Sequence, residues 1–274
     1  MGKETTIGWC DSTFNPWIGC QKVSPGCANC FAKTLMDDRF HRVTWGPAPE
    51  GTRRRTSPKN WTDVVVWNAE ALASGRPWRV FCGSLLDWLE DREDLVDMRR
   101  GLLALIEQTR SLTWLMLSKR LHLAPRLVRD VAGLEINEWL VRNPHVWMGT
   151  SIENQRWANE RMQWLVSLST AVRFLSIEPM LGPIDLRQVR LPDGDTLGRN
   201  LFSQATGYGV DWVIVGAESG KGARPMQEDW VRNLRDQCVE AGVPFFYKQQ
   251  MVDGEIVHAP ELDGRQWQEF PVAP

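Results

Sequence analysis

The sequence has 274 residues, of which 43% are hydrophobic and 24% are charged, and these values suit one large globular domain. A formal net charge of -2 argues against a general binder of polyanions, although it allows a local basic patch. No run of roughly 20 apolar residues occurs, so we expect no membrane-spanning helix and no contact with a membrane. The N-terminal residues lack the apolar core of a secretion signal, which predicts a cytoplasmic protein.

Short apolar strands alternate with helices along the chain. The predicted helices lie at residues 31–40, 62–74, 92–109, 124–131, 154–168 and 227–241, and the predicted strands at residues 79–82, 112–117, 146–149, 172–177, 212–215 and 243–247. Thr62 can cap the second helix at its start and Gly75 at its end. A further strand at residues 6–9 would precede all of these.

This alternation implies parallel strands joined by helical crossovers. Six or seven strands are fewer than the eight of a closed barrel, so we expect a partial (β/α) TIM-like barrel. A doubly wound open sheet is the alternative. In such a sheet the polar site residues would be concentrated at one switch point, whereas here they follow nearly every strand, which favours the barrel. The whole chain, residues 1–274, would form this single domain, with an inserted loop near 182–210 and a C-terminal tail from about 251.

Three cysteines lie in one turn-rich loop, in the spacing C-x6-C-x2-C. They are Cys20, Cys27 and Cys30. Clustered thiols in a reducing compartment are more often metal ligands than disulfides, and thiolates suit both zinc and iron–sulfur clusters. A structural zinc site needs a fourth ligand, for which Cys10 and His41 are candidates. An iron–sulfur cluster with one open iron is the other reading, and both stay open at this point.

Two further cysteines have a simpler interpretation. Cys82 lies within a predicted strand and Cys238 on the apolar face of a predicted helix. Both are expected to be small core residues.

Charged and hydroxyl side chains follow the predicted strands at equivalent points. They are Asp87, Lys119, Arg120, Ser151, Glu153, Glu178, Glu218 and Lys248. The carboxyl ends of parallel strands form the active-site face of α/β proteins, so we expect many of these side chains to line a shared polar cavity below the cysteine loop.

A cysteine loop after the first strand, a glycine turn after the second and polar strand ends resemble the radical S-adenosylmethionine (SAM) superfamily. The resemblance implies a [4Fe-4S] cluster on Cys20, Cys27 and Cys30, whose fourth iron binds SAM. The superfamily spacing is C-x3-C-x2-C, so the first gap here is longer. SAM contacts would come from Gly83, Ser84 and Asp87 on the amino group and from Ser151 and Glu153 on the ribose or carboxylate. An external electron donor is implied as well.

Long motifs resemble a phage- and prophage-encoded three-cysteine family of unknown function. They are N-P-W-I-G-C-x6-C-x2-C-F-A, L-S-K-R, F-L-S-I-E-P-M-L-G-P-I, W-V-I-V-G-A-E-S-G-x-x-A-R-P-M and V-P-F-F-Y-K-Q. A phage setting implies the host cytoplasm and a nucleotide or DNA base as substrate, in a radical isomerase or transferase reaction of DNA hypermodification. In that reading Glu178, Glu218 and Lys119 are catalytic, and Arg120, Lys248 and Arg224 bind substrate.

A basic stretch, Arg53-Arg54-Arg55 with Lys59, would contact phosphates or would simply be a solvated loop. The main alternative function is a non-enzymatic protein, stabilised by zinc or a cluster, that binds nucleic acid or a phage partner. A metal-independent hydrolase with Glu178 and Glu218 as acid and base is a third hypothesis.

Overall fold

A computed structural model describes residues 3–190, 209–220 and 222–272 of the chain. It divides into two compact units. Unit 1 comprises Met1–Trp147 with Ser169–Ala171, and unit 2 comprises Met148–Leu168 with Val172–Pro274. The single barrel domain expected from the sequence stays a prediction.

Unit 1 contains three parallel strands and the helices that connect them. Its elements in chain order are β1 (Ser12–Phe14), β2 (Trp17–Ile18), α1 (Phe31–Lys33), β3 (Arg54–Arg55), α2 (Pro58–Ser74), β4 (Arg79–Cys82), α3 (Val96–Gln108), β5 (Thr113–Ser118), α4 (Ala124–Ala132) and α5 (Ile136–Arg142). The parallel order is β1–β4–β5, and β2 pairs with β3 in an antiparallel ladder. A π-helix over Thr34–Arg39 continues α1. The cysteine loop therefore lies between β2 and α1.

The helix α2 shows how local sequence fixes these elements. It begins at Pro58, whose missing N–H costs nothing in the first helical turn. It buries Val64, Trp67 and Ala71 and ends at Gly75, whose φ of 60° is a left-handed cap. One face of the helix thus forms part of the core of unit 1.

Unit 2 repeats the same construction. Its elements in chain order are β6 (Val146–Ser151, which begins in unit 1), α6 (Gln155–Val166), β7 (Arg173–Ile177), β8 (Trp212–Gly216), α7 (Glu228–Ala241), β9 (Phe245–Val252), β10 (Glu255–His258), β11 (Glu261–Leu262) and β12 (Arg265–Gln266). The strands β6, β7, β8 and β9 are parallel neighbours, and β10 is antiparallel to β9. The tail returns to this sheet, because the Tyr247 N–H donates to the Trp267 carbonyl (2.8 Å).

The predicted alternation of parallel strands and helices is confirmed. Seven strands of the described residues take part in parallel pairs, three in unit 1 and four in unit 2, so the α/β class is correct. Closure into a TIM-like partial barrel stays a prediction. The predicted loop near 182–210 includes a short 3-10 helix, Leu186–Gln188, while its part at 191–208 lies outside the described residues.

Three local predictions were wrong or incomplete. Residues 6–9 form turns instead of a strand, and the first strand begins at Ser12. Thr62 lies inside α2, where its hydroxyl donates to the Lys59 carbonyl, and so does not cap the helix. The helix α5 was not predicted at all, since only seven residues form it. Among the described residues, no helix is both long enough and apolar enough to cross a bilayer.

Candidate functional site

The thiols of the cysteine loop differ from the other thiols of the chain. Cys20, Cys27 and Cys30 are free and partly exposed. The remaining cysteines are free and buried; they are Cys10, Cys82 and Cys238. The core positions predicted for Cys82 and Cys238 are confirmed, because both are 0% exposed. Reactive or ligand-binding thiols need access, so the loop is the part of unit 1 where such chemistry is available.

Backbone hydrogen bonds fix the start of the loop. The Gly19 N–H donates to the Leu85 carbonyl (3.1 Å), and the Gly46 N–H donates to the Cys20 carbonyl (3.1 Å). Gly19 has a φ of +112°, and a Cβ atom there would lie 2.6 Å from the Thr52 carbonyl oxygen. Only glycine fits this position, since both the backbone conformation and the space exclude a side chain.

A buried ion pair supports Cys20 from below. The Arg120 guanidinium lies 2.7 Å from Asp87 Oδ2, and the two side chains are 5% and 7% exposed. Arg120 also donates to the Gln21 carbonyl (2.9 Å) and contacts Cys20 Sγ (3.7 Å). This arginine thus joins the end of β5 to the cysteine loop.

Asp87 is saturated by protein partners. Its Oδ1 accepts the Ser118 hydroxyl (2.6 Å) and the Leu89 N–H (3.1 Å), and its Oδ2 accepts the Lys119 N–H (3.1 Å) as well as Arg120. Burial raises its pKa, but Arg120 and these hydrogen bonds outweigh burial, so its pKa is lowered overall. In this conformation Asp87 organises the ends of β4 and β5; the predicted contact with a SAM amino group stays a prediction.

Burial also controls the thiols. It raises the pKa of Cys20 to about 12, against the opposing charge of Arg120. Burial likewise raises the pKa of Cys30, while backbone hydrogen bonds and the charge of Lys119 oppose it. Both thiols are therefore protonated near neutral pH in the metal-free protein, and a metal ion would have to displace their protons.

The donor chemistry of the loop fits an iron–sulfur cluster or zinc, since both take thiolates. In the part of the chain that the structure describes, no three His, Cys, Asp or Glu side chains lie close enough together to hold a metal ion. Neither candidate fourth ligand completes such a group: the Cys10 thiol faces the Ile7 carbonyl (3.7 Å), and His41 is exposed. Binding at this loop would thus require the three thiols to approach one another.

The turn after β4 depends on a residue that the sequence did not single out. Asn15 is fully buried; its side-chain amide donates to the Ser84 hydroxyl (2.8 Å) and its oxygen accepts the Leu85 N–H (2.8 Å). Gly83, in the same turn, has a φ of +110°. The asparagine in the N-P-W motif was the available signal, because a polar side chain inside an apolar segment is usually hydrogen-bonded.

In unit 2, three carboxylates follow three neighbouring parallel strands, and each has a cation of its own. The pairs are Glu153 with Arg161 after β6, Glu178 with Lys248 after β7 and Glu218 with Arg224 after β8. Each predicted carboxylate thus lies at the carboxyl end of a strand, as expected. Their charges are balanced locally, which makes the free acid–base pair of the hydrolase hypothesis less favourable.

The pair of Glu218 and Arg224 is bidentate. Glu218 Oε2 accepts the Arg224 backbone N–H (3.0 Å) and Nε–H (2.8 Å), and Oε1 accepts from Nη2. The hydrogen bond to Glu218 raises the pKa of Arg224. The loop after β8 is thus folded back on its own strand end.

Arg161 is a site residue of unit 2 that was not predicted. It is 5% exposed, donates to the Ser151 carbonyl (2.7 Å) and stacks over the Trp157 ring at 4.2 Å. Its Nη2 has no hydrogen-bond partner among the described residues. It lies within α6, ten residues after the end of β6 in sequence, so the strand-end pattern of the sequence did not reveal it.

The basic stretch is divided by the structure. Arg53 forms a fully buried pair with Glu90, so both readings of the stretch, phosphate contact and solvated loop, were wrong for this residue. Lys59 pairs with Asp63 (2.7 Å) on the surface of α2. Arg54 and Arg55 form β3 and are exposed.

The described residues thus define an α/β protein with parallel strands, an accessible three-thiol loop in unit 1 and paired charges at the strand ends of unit 2. The chain belongs to the family described as "Protein of unknown function (DUF5131)", whose model matches residues 4–271. This agrees with the whole-chain resemblance to a family of unknown function. No curated protein and no solved structure matched the chain.

Proposed function

We propose that the chain is a radical SAM enzyme of phage origin that acts on a nucleotide or DNA base, with a [4Fe-4S] cluster held by Cys20, Cys27 and Cys30. The observation that carries the proposal is the contrast among the thiols. Three partly exposed cysteines share one loop, whereas the other three cysteines are buried and lie elsewhere in the sequence. A purely structural set of cysteines would not need this access.

The surroundings of the loop supply what a thiolate cluster needs. A cluster held by three cysteines carries excess negative charge, which the buried Arg120 beside Cys20 and the charge of Lys119 near Cys30 would offset. The rigid anchors at Gly19 and Cys20 would keep one ligand in place while the loop brings in the other two.

When bound on Cys20, Cys27 and Cys30 and reduced by an external electron donor, a cluster would supply the electron for cleavage of SAM into methionine and a 5′-deoxyadenosyl radical, which would abstract hydrogen from the substrate. The chain's own residues orient and shield the reactants. In unit 1, Gly83 and Ser84 lie in the turn that Asn15 rigidifies, and they are the proposed contacts for SAM. The roles of Ser151, Glu153, Glu178, Glu218, Lys248 and Arg224 remain predictions.

The test is reconstitution. The full chain is purified without oxygen, supplied with iron and sulfide, reduced and mixed with SAM. We expect the protein to bind iron, to absorb visible light as iron–sulfur clusters do, and to form 5′-deoxyadenosine. Cys20→Ala, Cys27→Ala and Cys30→Ala should each lose the cluster, because a three-thiolate site has no spare ligand.

Cys238→Ala is the matched control. It removes a thiol that is 0% exposed, so it should lower stability while leaving the iron content unchanged. Bound zinc, no 5′-deoxyadenosine and a loss of metal in Cys10→Ala would contradict the proposal. That result would favour the non-enzymatic, zinc-stabilised binding protein.

A further inference from the structure

The end of the π-helix that continues α1, and the turn after it, present charge and an aromatic ring to solvent. Arg39, Phe40, His41 and Arg42 are all exposed, and the Phe40 ring is 48% exposed. The guanidinium carbons of Arg39 and Arg42 lie 5.3 Å and 5.7 Å from the ring centroid. His41 has a φ of +46°, so the chain turns sharply at the tip. The result is an exposed ring between two arginines.

A second pair of arginines, Arg54 and Arg55, lies on a strand whose preceding residues are hydrogen-bonded to the segment after Arg42. Thr44 and Thr52 are hydrogen-bonded through the Thr52 N–H and the Thr44 carbonyl (2.9 Å), and each lies two residues from an arginine, Arg42 and Arg54. Arg55, the next residue, lies 4.4 Å over the Trp61 ring. We call this set the basic aromatic surface: Arg39, Phe40, His41, Arg42, Arg54 and Arg55.

The charges of this surface are not neutralised within the described residues. Arg39, Arg42, Arg54 and Arg55 form no ion pair there, whereas Arg53, between them in sequence, is locked to Glu90. The segment also holds two acids: Asp38 pairs with Lys33 (2.5 Å), and Asp37 accepts the Trp45 N–H (2.9 Å). A depression of about 290 Å³, lined by Asp37, His41, Arg42, Val43, Thr44 and Thr52, adjoins the surface. In a chain of net charge -2, this concentration of unpaired arginine points to an anionic ligand.

We propose that the basic aromatic surface binds single-stranded nucleic acid. The arginines would contact phosphates, and Phe40 would stack on a base, which is the combination that sequence-tolerant single-strand binding uses. The Arg55 guanidinium, whose carbon lies 4.4 Å from the Trp61 ring centroid, offers a second group on which a base could stack. An acidic protein would satisfy the arginines but would not need the exposed ring between them. The inference rests on the proposed function for the choice of DNA as the substrate. It adds the surface on which the strand would be held.

The experiment is a binding assay on the full chain, with and without reconstituted metal. Fluorescence anisotropy is measured with labelled DNA and RNA strands of the same sequence, about 15 nucleotides long, the upper range for one binding module. Arg42→Gln with Arg54→Gln should weaken binding about tenfold or more and lower the salt slope by about 1.4, because each lost phosphate contact on a single strand removes about 0.7. Phe40→Ala should weaken binding by about tenfold with the salt slope unchanged, since stacking releases no counterions.

Arg129→Gln with Arg142→Gln is the charge-matched control. It also removes two exposed arginines of unit 1, but both are paired with glutamates, so binding should stay as in the unchanged chain.

The inference is overturned by any of three results. Neither strand binds, the control weakens binding as much as the surface variant does, or polyglutamate of equal charge competes equally while Phe40→Ala binds normally. The last outcome would assign the surface to an acidic protein. The binding assay does not depend on SAM cleavage, so it can be interpreted even if the cluster cannot be reconstituted. If 5′-deoxyadenosine forms normally but no strand binds, only the inference about the basic aromatic surface is refuted, and the proposed function stands. Stronger binding of DNA than RNA supports a DNA substrate, and the reverse overturns it.

Discussion

Replacing Arg120 with methionine tests the buried pair that supports the cysteine loop. The side chains of Arg120 and Asp87 are 5% and 7% exposed, so the substitution leaves a carboxylate in the interior without its cation. Methionine fills a similar volume, which keeps cavity formation a minor factor. The free energy of unfolding then reports mainly the unpaired charge.

The expected loss follows from the partners that remain. Breaking a buried ion pair from one side costs about 3–5 kcal/mol. Asp87 keeps the Ser118 hydroxyl and two backbone N–H donors, which places the loss of its cation near the lower limit. The lost hydrogen bond from Arg120 to the Gln21 carbonyl adds about 1 kcal/mol. We therefore expect Arg120→Met to lower the free energy of unfolding by about 3–4 kcal/mol near neutral pH.

The loss of stability in Arg120→Met should also change with pH in a definite direction. In the unchanged chain the pKa of Asp87 is lowered, so the stability that this carboxylate contributes is present above its unfolded pKa and is lost as pH falls through the folded value. Without Arg120, the main contribution that opposes burial is lost, so we expect the pKa of Asp87 to be higher in the variant than in the unchanged chain. The variant's Asp87 then takes up its proton at a higher pH, and the difference in stability from the unchanged chain should be smaller at about pH 4.5 than at about pH 7.

Urea unfolding followed by tryptophan fluorescence at both pH values measures this difference. Arg142→Met is the control, because its pair with Glu138 is exposed and should be worth about 0.5 kcal/mol at most. A loss below about 1 kcal/mol for Arg120→Met, or a loss that stays constant with pH, would refute the reasoning.

Two further predictions concern the same unit. Gly19→Ala should destabilise the protein by about 1–3 kcal/mol, since a Cβ atom there would lie 2.6 Å from the Thr52 carbonyl oxygen. Gly46 is the control: it also has a positive φ, but a Cβ atom there would meet open space, so Gly46→Ala should destabilise the protein less. Equal losses of stability in thermal unfolding would argue against the steric cause. Burial lowers the pKa of His145, whose Nε2–H donates to the Ile106 carbonyl (2.9 Å), so its contribution to stability is complete above its unfolded pKa of about 6.5 and is lost as pH falls through the lower folded value. Between about pH 7.5 and 5.5 the unchanged chain should therefore lose more stability than His145→Gln, and parallel pH curves would contradict this.

Much of the fold could be predicted because its signals are local. The strand at 79–82 coincides with β4, and Gly75 and Gly242 end α2 and α7 with left-handed caps. The first strand was misplaced because Trp9 is a buried residue of a turn, where its ring packs on Phe81 with the ring centroids 4.5 Å apart. The actual strand carries Ser12, whose hydroxyl donates to the Lys3 carbonyl (2.7 Å) and accepts the indole N–H of Trp78 (2.9 Å). Burial of such a polar residue depends on distant partners, which periodicity does not reveal.

In the candidate site, the ion-pair partner of each charged residue could not be predicted from local sequence either. The sequence placed carboxylates and cations at strand ends correctly, but pairing joins Asp87 to Arg120 and Glu178 to Lys248, across 33 and 70 residues. A charge that is already paired and buried must break that pair before it can bind a ligand, which costs several kcal/mol. The exposed arginines around Phe40 have no such pair to break within the described residues. Charge that is free to recognise an anion therefore lies on Arg39 and Arg42, which follow the cysteine loop in sequence, and on Arg54 and Arg55, which the basic stretch of the sequence already indicated. The strand-end pattern includes none of these arginines.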